Sequence, residues 1–388
     1  MKTLYLHIGT AKTGTSAIQS FLSGNGEVLA RQSYVYPPTI HRFETANSRR
    51  NAHYMVERLT KQDGSADHRA EAVLLEEGMR QLRECFAQYD NVILSEENLW
   101  SALQSYRKEL LPYLMEQAQK YHFTVKIVVY LRPPDEYMNS VWSQKVKNRV
   151  ASTNSWPVFY RHFMMFQTHR IDYGNTLDSL ASIVGRRNLI VRRFDRNHWK
   201  DGSVIHDFLS AVGIRPDPEF IYDEGEVNTG LYGNTIEIKR ILNEDPLLSE
   251  EGRKYLLYPL KNTAQFSRKR YHCNMMSAVE IRNLLAGFHE SYDRAAEYIG
   301  DGKPLFSCDD LPDLKWQKDN PYMIDDTINF IGQVATQLHH ENLELKSRVE
   351  YLEQNRGLRR IKNLVKCILR RNTGQEQTGT SPSTHEQP

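Results

Sequence analysis

The sequence predicts an α/β fold: a central parallel sheet flanked by helices, followed by a C-terminal coiled-coil helix. Four short runs of apolar and β-branched residues are each followed by a helix-like pattern. The first run leads directly into a glycine-containing loop, and apolar residues at alternating three-and-four spacing follow residue 325. Alternating strands and helices are typical of a parallel sheet, whose functional groups lie at the carboxyl ends of the strands.

The composition is that of an ordinary globular protein and excludes some functions. Of 388 residues, 40% are hydrophobic and 25% charged, and the net charge of +2 predicts no binding to nucleic acid. The four cysteines fit neither metal-ligand nor disulfide spacing, which favours a reducing compartment. Since the first residues lack the apolar core of a signal peptide and no run of about 18 apolar residues follows, we expect a cytoplasmic protein.

The individual elements follow from apolar spacing. The strands are predicted at residues 3–8, 91–95, 124–131 and 188–194. The stretch 48–87 reads as polar loop and amphipathic helix. Residues 155–184 and 235–299 are predicted to be mostly helical, the second stretch being interrupted near residues 258–259.

The loop after the first strand predicts an anion site. The sequence LHIGTAKTGTSAIQ places Gly9 and Gly14 at the two ends of a loop, and a helix is predicted to begin near Thr15. Backbone N–H groups of such a loop and the positive end of a helix dipole bind phosphate. The hydroxyls of Thr13, Thr15 and Ser16 are candidate further donors. A tight strand-to-helix turn without a ligand is the alternative.

The position of the lysine separates this loop from that of nucleotide triphosphate enzymes. The G-x-x-x-x-G spacing makes the predicted sheet P-loop-like, but Thr-Ser follows Gly14 and the lysine is Lys12. The second strand ends at Ser95, where a magnesium-binding strand would end in a carboxylate. A kinase that uses ATP or GTP is therefore disfavoured, although it stays open as an alternative.

A second phosphate anchor is predicted after the third strand. This strand delivers Arg132, two prolines turn the chain, and a helix with an acidic first turn is predicted near Asp135. Ser140 lies eight residues after Arg132, on the first turns of that helix. Arginine binds phosphate bidentately, and a hydroxyl on a helix adds a second contact. Two anchors at neighbouring strand ends suit a ligand with phosphates at two positions.

The two segments LHIGTAKTGTSAIQSFL and VVYLRPPDEYMNSVW resemble the sulfotransferase family that uses 3′-phosphoadenosine 5′-phosphosulfate (PAPS), in particular its bacterial, glycan-type members. Softer similarity extends over about residues 1–300. The resemblance implies that Arg132 and Ser140 hold the 3′-phosphate of PAPS. It also implies that the first loop binds the phosphosulfate side, through Thr10, Lys12, Thr13, Gly14, Thr15 and Ser16.

The resemblance gives Lys12 a catalytic role as well. In this family the matching lysine reaches the oxygen that bridges phosphate and sulfate. Negative charge grows on this oxygen as the bond to sulfur breaks, so a cation there stabilises the transition state more than the ground state. The implied reaction is in-line sulfuryl transfer from PAPS, without a metal, to a hydroxyl of a glycan or glycolipid.

The acceptor hydroxyl requires a general base, and two carboxylates follow the second strand. Glycan-type members carry a catalytic carboxylate here, whereas the small-molecule type uses a histidine, which this segment lacks. The pattern Ser-x-Glu-Asn-Leu favours Glu97 over Glu96, one of which is expected to cap the next helix. His53 is a candidate lining residue of the acceptor pocket. Arg192 and Arg193 are candidates for holding an anion or for surface salt bridges.

The C-terminal part predicts a coiled coil and then a basic amphipathic helix. The predicted seam contains Ile328, Ile331, Ala335, Leu338, Asn342, Leu345, Val349 and Leu352. The basic helix carries Arg359, Arg360, Lys362, Lys366, Arg370 and Arg371. We expect a homodimer through the coil and a peripheral contact with the inner face of the membrane. A helix lying on its own domain and a solvated helix end are the alternatives.

These patterns predict a sulfotransferase domain over residues 1–315, the coiled-coil and basic helix over 325–371, and a disordered tail over 372–388. The expected partners are PAPS, a hydroxyl acceptor and a second copy of the chain. From a different functional class, the chain could be an inactive nucleotide-fold scaffold that recruits partners through its coil.

Overall fold

A parallel sheet organises the part of the chain that the computed structural model describes, which comprises residues 2–44, 46–148, 152–222, 230–308, 311 and 315–373. This part contains five strands. They are β1 Lys2–His7, β2 Tyr34–Val35, β3 Asn91–Ser95, β4 Phe123–Leu131 and β5 Leu189–Arg193.

The α-helices of the described residues number fifteen. They are α1 Thr15–Gly24, α2 Gly26–Arg31, α3 His68–Gln88, α4 Leu99–Ala102, α5 Leu110–Tyr121, α6 Pro134–Lys147, α7 Trp156–Phe166, α8 Tyr173–Val184, α9 Val204–Val212, α10 Asn234–Glu244, α11 Glu250–Tyr255, α12 Leu257–Arg270, α13 Ala278–Gly287, α14 His289–Ile299 and α15 Met323–Thr373.

The strands are parallel and follow the order β2-β3-β1-β4-β5. Strand β1 is central, and Leu6 is level with Leu94 of β3 and with Ile127 of β4. The carboxyl ends therefore meet at one edge of the sheet. The predicted α/β fold is confirmed, and the four predicted strands are present within two residues of their bounds.

Helices cover both faces of the sheet and create two cores. Leu4 and Leu6 of β1 belong to the larger core, whereas Tyr5 points to a smaller one with Ile18 and Phe21 of α1. A strand buried on both faces explains why the sequence shows near-continuous apolar runs. Strand β2, with only two residues before the prolines at 37 and 38, lacks such a run and was not predicted.

The helical stretch over 235–299 is interrupted at more places than the one predicted. Residues 245–249 separate α10 from α11, and residues 271–277 separate α12 from α13. Leu256, between α11 and α12, is the break near the predicted position at residues 258–259. Pro259 lies in the first turn of α12, where its missing N–H removes no helical hydrogen bond.

Helix α15 is continuous over 51 residues and joins the predicted coiled coil and the basic segment without a break. It runs through Thr373, and residues 374–388 of the expected tail lie outside the described residues. None of the described helices combines the length and apolarity needed to cross a membrane.

The first turns of α15 are attached to α10 and α12 through a buried carboxylate. Asp326 accepts hydrogen bonds from Asn234 Nδ2 (2.8 Å), Ser267 Oγ (2.8 Å) and the Tyr271 hydroxyl (2.6 Å). Phe330 packs into the larger core one turn later. The predicted seam lies on a different face, and its large apolar residues from Ile328 to Leu352 are about half exposed.

Candidate active site

The loop that follows β1 is shaped by two glycines. Gly9 and Gly14 have φ values of 102° and 70°, which favour glycine. A Cβ atom at Gly9 would lie 3.0 Å from the backbone oxygen of Glu97, so the loop passes directly against the segment after β3. Because α1 begins at Thr15, the positive end of its dipole lies at the end of this loop.

Two of the predicted donor hydroxyls hold the loop itself. The hydroxyl of Thr10 donates to the carbonyl of Tyr130 at 3.1 Å, and the hydroxyl of Thr13 donates to the carbonyl of Thr10 at 2.5 Å. Both side chains are fully buried. Thr15 is also buried, whereas Ser16 is exposed on the first turn of α1. Thr10 and Thr13 thus attach the loop to β4 and fix its shape.

Lys12 and Arg132 meet at neighbouring strand ends. Nη1 of Arg132 donates a 2.8 Å hydrogen bond to the backbone carbonyl of Lys12, whose φ of 69° turns the chain at that point. The Arg132 guanidinium also pairs with Glu136 at 3.0 Å and lies 5.4 Å from the ring centre of Phe194. The two predicted anchors are therefore in direct contact.

The surroundings of Lys12 are rich in positive charge. Burial, together with Lys147 and Arg132, lowers the pKa of Lys12 to about 8, and the charge of Glu97 opposes this shift. Burial also lowers the pKa of Lys147, at the end of α6, with a further contribution from Lys261. Within the described ranges, no carboxylate forms an ion pair with Lys12 or Lys147. Because these half-buried ammonium groups form no ion pair with a described carboxylate, an anion bound beside them would offset the cost of their partial desolvation.

Three cations near Lys12 and Arg132 were not predicted from the sequence: Lys147, Lys261 and Arg268. Lys147 lies seven residues after Ser140 on α6, so both occupy the same helix face, and this spacing was a usable signal. Lys261 and Arg268 belong to α12. Burial lowers the pKa of Arg268, and Arg132 contributes to the shift, which brings α12 into the same electrostatic environment. No local motif marks these two residues.

Glu96 is buried in a network of its own. Its carboxylate accepts hydrogen bonds from both Nε (2.9 Å) and Nη2 of Arg50, from Nδ1 of His53 (2.9 Å) and from the backbone N–H of Asn98 (2.8 Å). Burial by itself would raise the pKa of Glu96, but the hydrogen bonds from His53 and Arg50 outweigh it and lower the pKa. Both oxygens of Glu96 are thus occupied.

Glu97 is partly exposed, and its negative charge acts on Lys12. Its Oε2 accepts a 3.2 Å hydrogen bond from Nε2 of Gln19 and lies 3.5 Å from Nε of Arg50. Among the residues that the structure describes, none forms a hydrogen bond with its Oε1. This geometry favours Glu97 over Glu96 as the carboxylate that could accept a proton from a bound molecule.

His53 lies between two carboxylates and also lines a cavity. Its Nδ1 contacts Glu96 at 2.9 Å and its Nε2 contacts Glu57 at 2.7 Å, so the ring is fixed. A cavity of about 240 Å³ has Arg50 and His53 in its wall. The structure therefore brings His53 into contact with Glu96 of the predicted site.

Arg193 corrects one expectation. Its guanidinium is buried, pairs with Asp301 at 2.7 Å and donates to the backbone carbonyl of Lys303 at 2.9 Å. It is committed to this internal contact and holds no external anion. Arg192 lies 3.8 Å from Asp207 and is about one third exposed. In the part of the chain described, no group of three or more His, Cys, Asp or Glu side chains is arranged to hold a metal ion.

Comparisons with known proteins give limited information. No family model matches the chain. An uncharacterized protein of Archaeoglobus fulgidus is 33% identical over 128 residues, which are 33% of this chain and 33% of that protein, so the chain spans about a third of the curated relative it matches. The crystal structure of a sulfotransferase from Alicyclobacillus acidocaldarius matches 77% of this chain and 96% of its own, with 14% identity and a TM-score of 0.40. A similarity at this level does not identify a shared activity.

Proposed function

We propose that the chain is a PAPS-dependent sulfotransferase that transfers a sulfuryl group to a hydroxyl of a glycan or glycolipid. One observation carries the proposal: Arg132 donates a 2.8 Å hydrogen bond to the Lys12 carbonyl at neighbouring strand ends, and Glu97, which follows a third strand, is near enough for its charge to act on Lys12. The segments around Lys12 and Arg132 resemble the PAPS-using family, and this resemblance supports PAPS as the ligand and sulfuryl transfer as the reaction.

The cations account for donor binding. The loop from Gly9 to Gly14 and the amino end of α1 receive the 5′-phosphosulfate, while Arg132 and Ser140 hold the 3′-phosphate. Lys147 adds charge from the end of α6. Lys12 and Lys147 are half-buried and have no ion-pair partner among the described residues, which supports this assignment, because a strongly anionic ligand offsets their mutual repulsion.

The reaction requires a general base for the acceptor hydroxyl and a cation beside the leaving oxygen. Oε1 of Glu97 accepts the proton of the acceptor hydroxyl while that oxygen forms its bond to sulfur. The bond between sulfur and the bridging oxygen breaks, and Lys12 stabilises the charge that develops on this oxygen. The products are the sulfate ester and adenosine 3′,5′-bisphosphate.

A thermal-shift comparison tests the donor assignment. We expect adenosine 3′,5′-bisphosphate to raise the melting temperature of the wild-type chain and to do so much less for Lys12→Ala. The exposed Arg187, beside the amino end of β5, provides the matched control Arg187→Gln. Stabilisation by ATP with magnesium alone would support the kinase alternative. No turnover of radiolabelled donor with any acceptor of a broad screen would support the inactive scaffold.

We also assign the exposed seam of α15 to a homodimer. Its apolar positions alternate by three and four residues, and Asn342 at one of them is the kind of residue that fixes register. We expect Leu345→Lys to give a monomer in sedimentation velocity at an unchanged melting temperature, whereas Ser347→Lys, off the seam, leaves the dimer. A wild-type monomer at micromolar concentration would contradict the assignment.

The basic end of α15 is assigned to an anionic membrane surface. Ile361, Val365 and Ile368 form an exposed apolar face, and the cations of this segment have no acidic neighbour in the sequence. We expect the full chain to float with phosphatidylserine vesicles but not with phosphatidylcholine vesicles. A chain truncated after Leu352 should float with neither, and flotation of that truncated chain would contradict the assignment.

A further inference from the structure

A cavity of about 240 Å³ lies beside the glutamates, next to the chain segment that follows β2. Neither the donor anchors nor the proposed base fills it. We infer that this cavity is an acceptor subsite that takes one sugar residue bearing an anionic group. The inference rests on the proposed function, which supplies the base and the donor beside it.

The cavity is connected to the base through one side chain. Arg50 lines the cavity, donates to Glu96 and places its Nε 3.5 Å from Oε2 of Glu97. An occupant that contacts Arg50 is therefore separated from the carboxylate of Glu97 by a single guanidinium group. Because Glu96 is fully buried and fixes Arg50 from behind, this wall of the cavity is rigid.

The strand order places the cavity on the correct side of the reacting groups. Along the carboxyl edge of the sheet, the cavity segment follows β2, Glu97 follows β3, Lys12 follows β1 and Arg132 follows β4. Neighbouring strands are about 4.8 Å apart. The cavity, the base, the leaving-group cation and the distal phosphate anchor thus follow successive neighbouring strands, so the cavity lies at the end of this series away from the phosphate anchor.

The lining residues indicate an anionic ligand. None of the described lining residues is a carboxylate. The charge of Arg50 is matched by Glu96 and Glu97, whereas Arg42 is exposed and forms no ion pair with any described residue. Arg42 therefore offers an unmatched guanidinium, which suits a carboxylate or sulfate group.

Phe43 and the cavity volume indicate a sugar. The ring of Phe43 is held between His41, at 4.9 Å between ring centres, and His53, at 5.1 Å. A fixed aromatic ring in a polar wall offers an apolar surface for one face of a pyranose. The volume lies below the range of about 300–1,000 Å³ that is typical of drug-sized ligands, so the cavity holds one sugar ring and the rest of a glycan extends outward.

Titration with two simple glycosides tests this inference without any donor. We expect methyl β-D-glucuronide to bind the full chain at least about tenfold more tightly than methyl β-D-glucoside, because only the glucuronide offers a charged partner to Arg42. Arg42→Gln should remove this preference, and Phe43→Ala should weaken both glycosides. The matched control Arg187→Gln, beside the opposite edge strand, should change neither.

Either of two results with the wild-type chain overturns the inference: binding of neither glycoside, or equal binding of both. A preference for the glucuronide that persists in Arg42→Gln also overturns it. The affinity for adenosine 3′,5′-bisphosphate is measured on the same samples and should be unchanged in Arg42→Gln. Loss of bisphosphate binding in the wild type would instead refute the proposed function, so the two failures are distinguishable.

Discussion

The guanidinium of Arg132 donates a 2.8 Å hydrogen bond to the main-chain carbonyl of Lys12, which links the loops after β1 and β4. The bond uses only one of the Arg132 N–H groups, and Glu136 takes others from the opposite side. The position of the Lys12 backbone thus depends on a residue 120 positions later in the chain. The two ends of the proposed donor site are therefore joined by a direct hydrogen bond.

Lys12→Met should abolish bisphosphate binding and yet stabilise the protein. The lowered pKa of Lys12, at about 8, means that its charge is disfavoured in the folded chain. Removing it should raise the free energy of unfolding at pH 7 by up to about 3 kcal/mol. Urea denaturation measures this gain, with Arg187→Gln as the control. A lysine with a structural role would instead give a loss of stability.

Bisphosphate binding should also depend on pH in a defined direction. Lys12 is charged below its pKa of about 8 and loses its proton as the pH rises through that value. We therefore expect the affinity of the wild-type chain for adenosine 3′,5′-bisphosphate to fall between about pH 7 and pH 9. Isothermal titration in that range measures the fall. An affinity that is constant up to pH 9 would show that Lys12 does not contact the ligand.

Glu96→Gln and Glu97→Gln should affect different properties: the first lowers stability and the second lowers turnover. Glu96→Gln removes the buried carboxylate that accepts hydrogen bonds from Arg50 and His53, leaves Arg50 with only Glu97 as a charged partner, and should cost about 1–3 kcal/mol of stability. Glu97→Gln should change stability by less than about 1 kcal/mol but lower kcat by about 10²–10⁴-fold, as expected for loss of a general base. Thermal denaturation and donor turnover measure the pair. Normal turnover in Glu97→Gln would exclude it as the base.

Gln19→Leu should impair the orientation of Glu97 without affecting donor binding. Gln19 Nε2 bridges Glu97 Oε2 at 3.2 Å and Ser95 Oγ at 3.1 Å. Because this hydrogen bond holds one carboxylate oxygen of Glu97 in place, its loss should lower kcat in donor turnover. The affinity for the bisphosphate should be unchanged. An unchanged kcat in Gln19→Leu would show that this hydrogen bond does not position Glu97 for the reaction.

Asp135→Asn should stabilise the chain at neutral pH. Burial, with a smaller contribution from Glu136, raises the pKa of Asp135 to about 6, so ionised Asp135 is unfavourable in the fold above that pH. The substituted amide still accepts the hydrogen bond from Asn274 Nδ2. We expect a gain of about 1–3 kcal/mol at pH 7 that disappears below about pH 4, where the carboxyl is protonated in both states. A loss at pH 7 would contradict this.

Local patterns identified four of the five strands in the described residues and the loops that carry Lys12 and Arg132. Apolar runs gave β1, β3, β4 and β5, because buried parallel strands must be apolar on both faces. Glycine spacing and the Arg-Pro-Pro turn gave Lys12 and Arg132. Arg50 was missed because it lies in an irregular segment between β2 and α3, where no periodicity marks a residue.

Contacts between distant segments were not predictable. Arg268 reaches the surroundings of Arg132 only because α12 packs beside α10, and α10 beside α6. Likewise, nothing in the loop sequence shows that the hydroxyls of Thr10 and Thr13 turn inward to carbonyl groups. Tertiary packing determines these contacts. A single sequence shows which residues lie together only where their spacing matches the helix period, as for Ser140 and Lys147.

The length of α15 sets a distance between two parts of the molecule. Glu341 still contacts the domain, through Tyr255 at 3.2 Å. The remaining residues to Thr373 continue as helix for about 48 Å beyond Glu341, at 1.5 Å per residue. In the membrane contact that we propose, this length of helix separates the anchoring cations from the contact between Glu341 and Tyr255. The helix would then act as a spacer that sets how far from the lipid surface the domain is held.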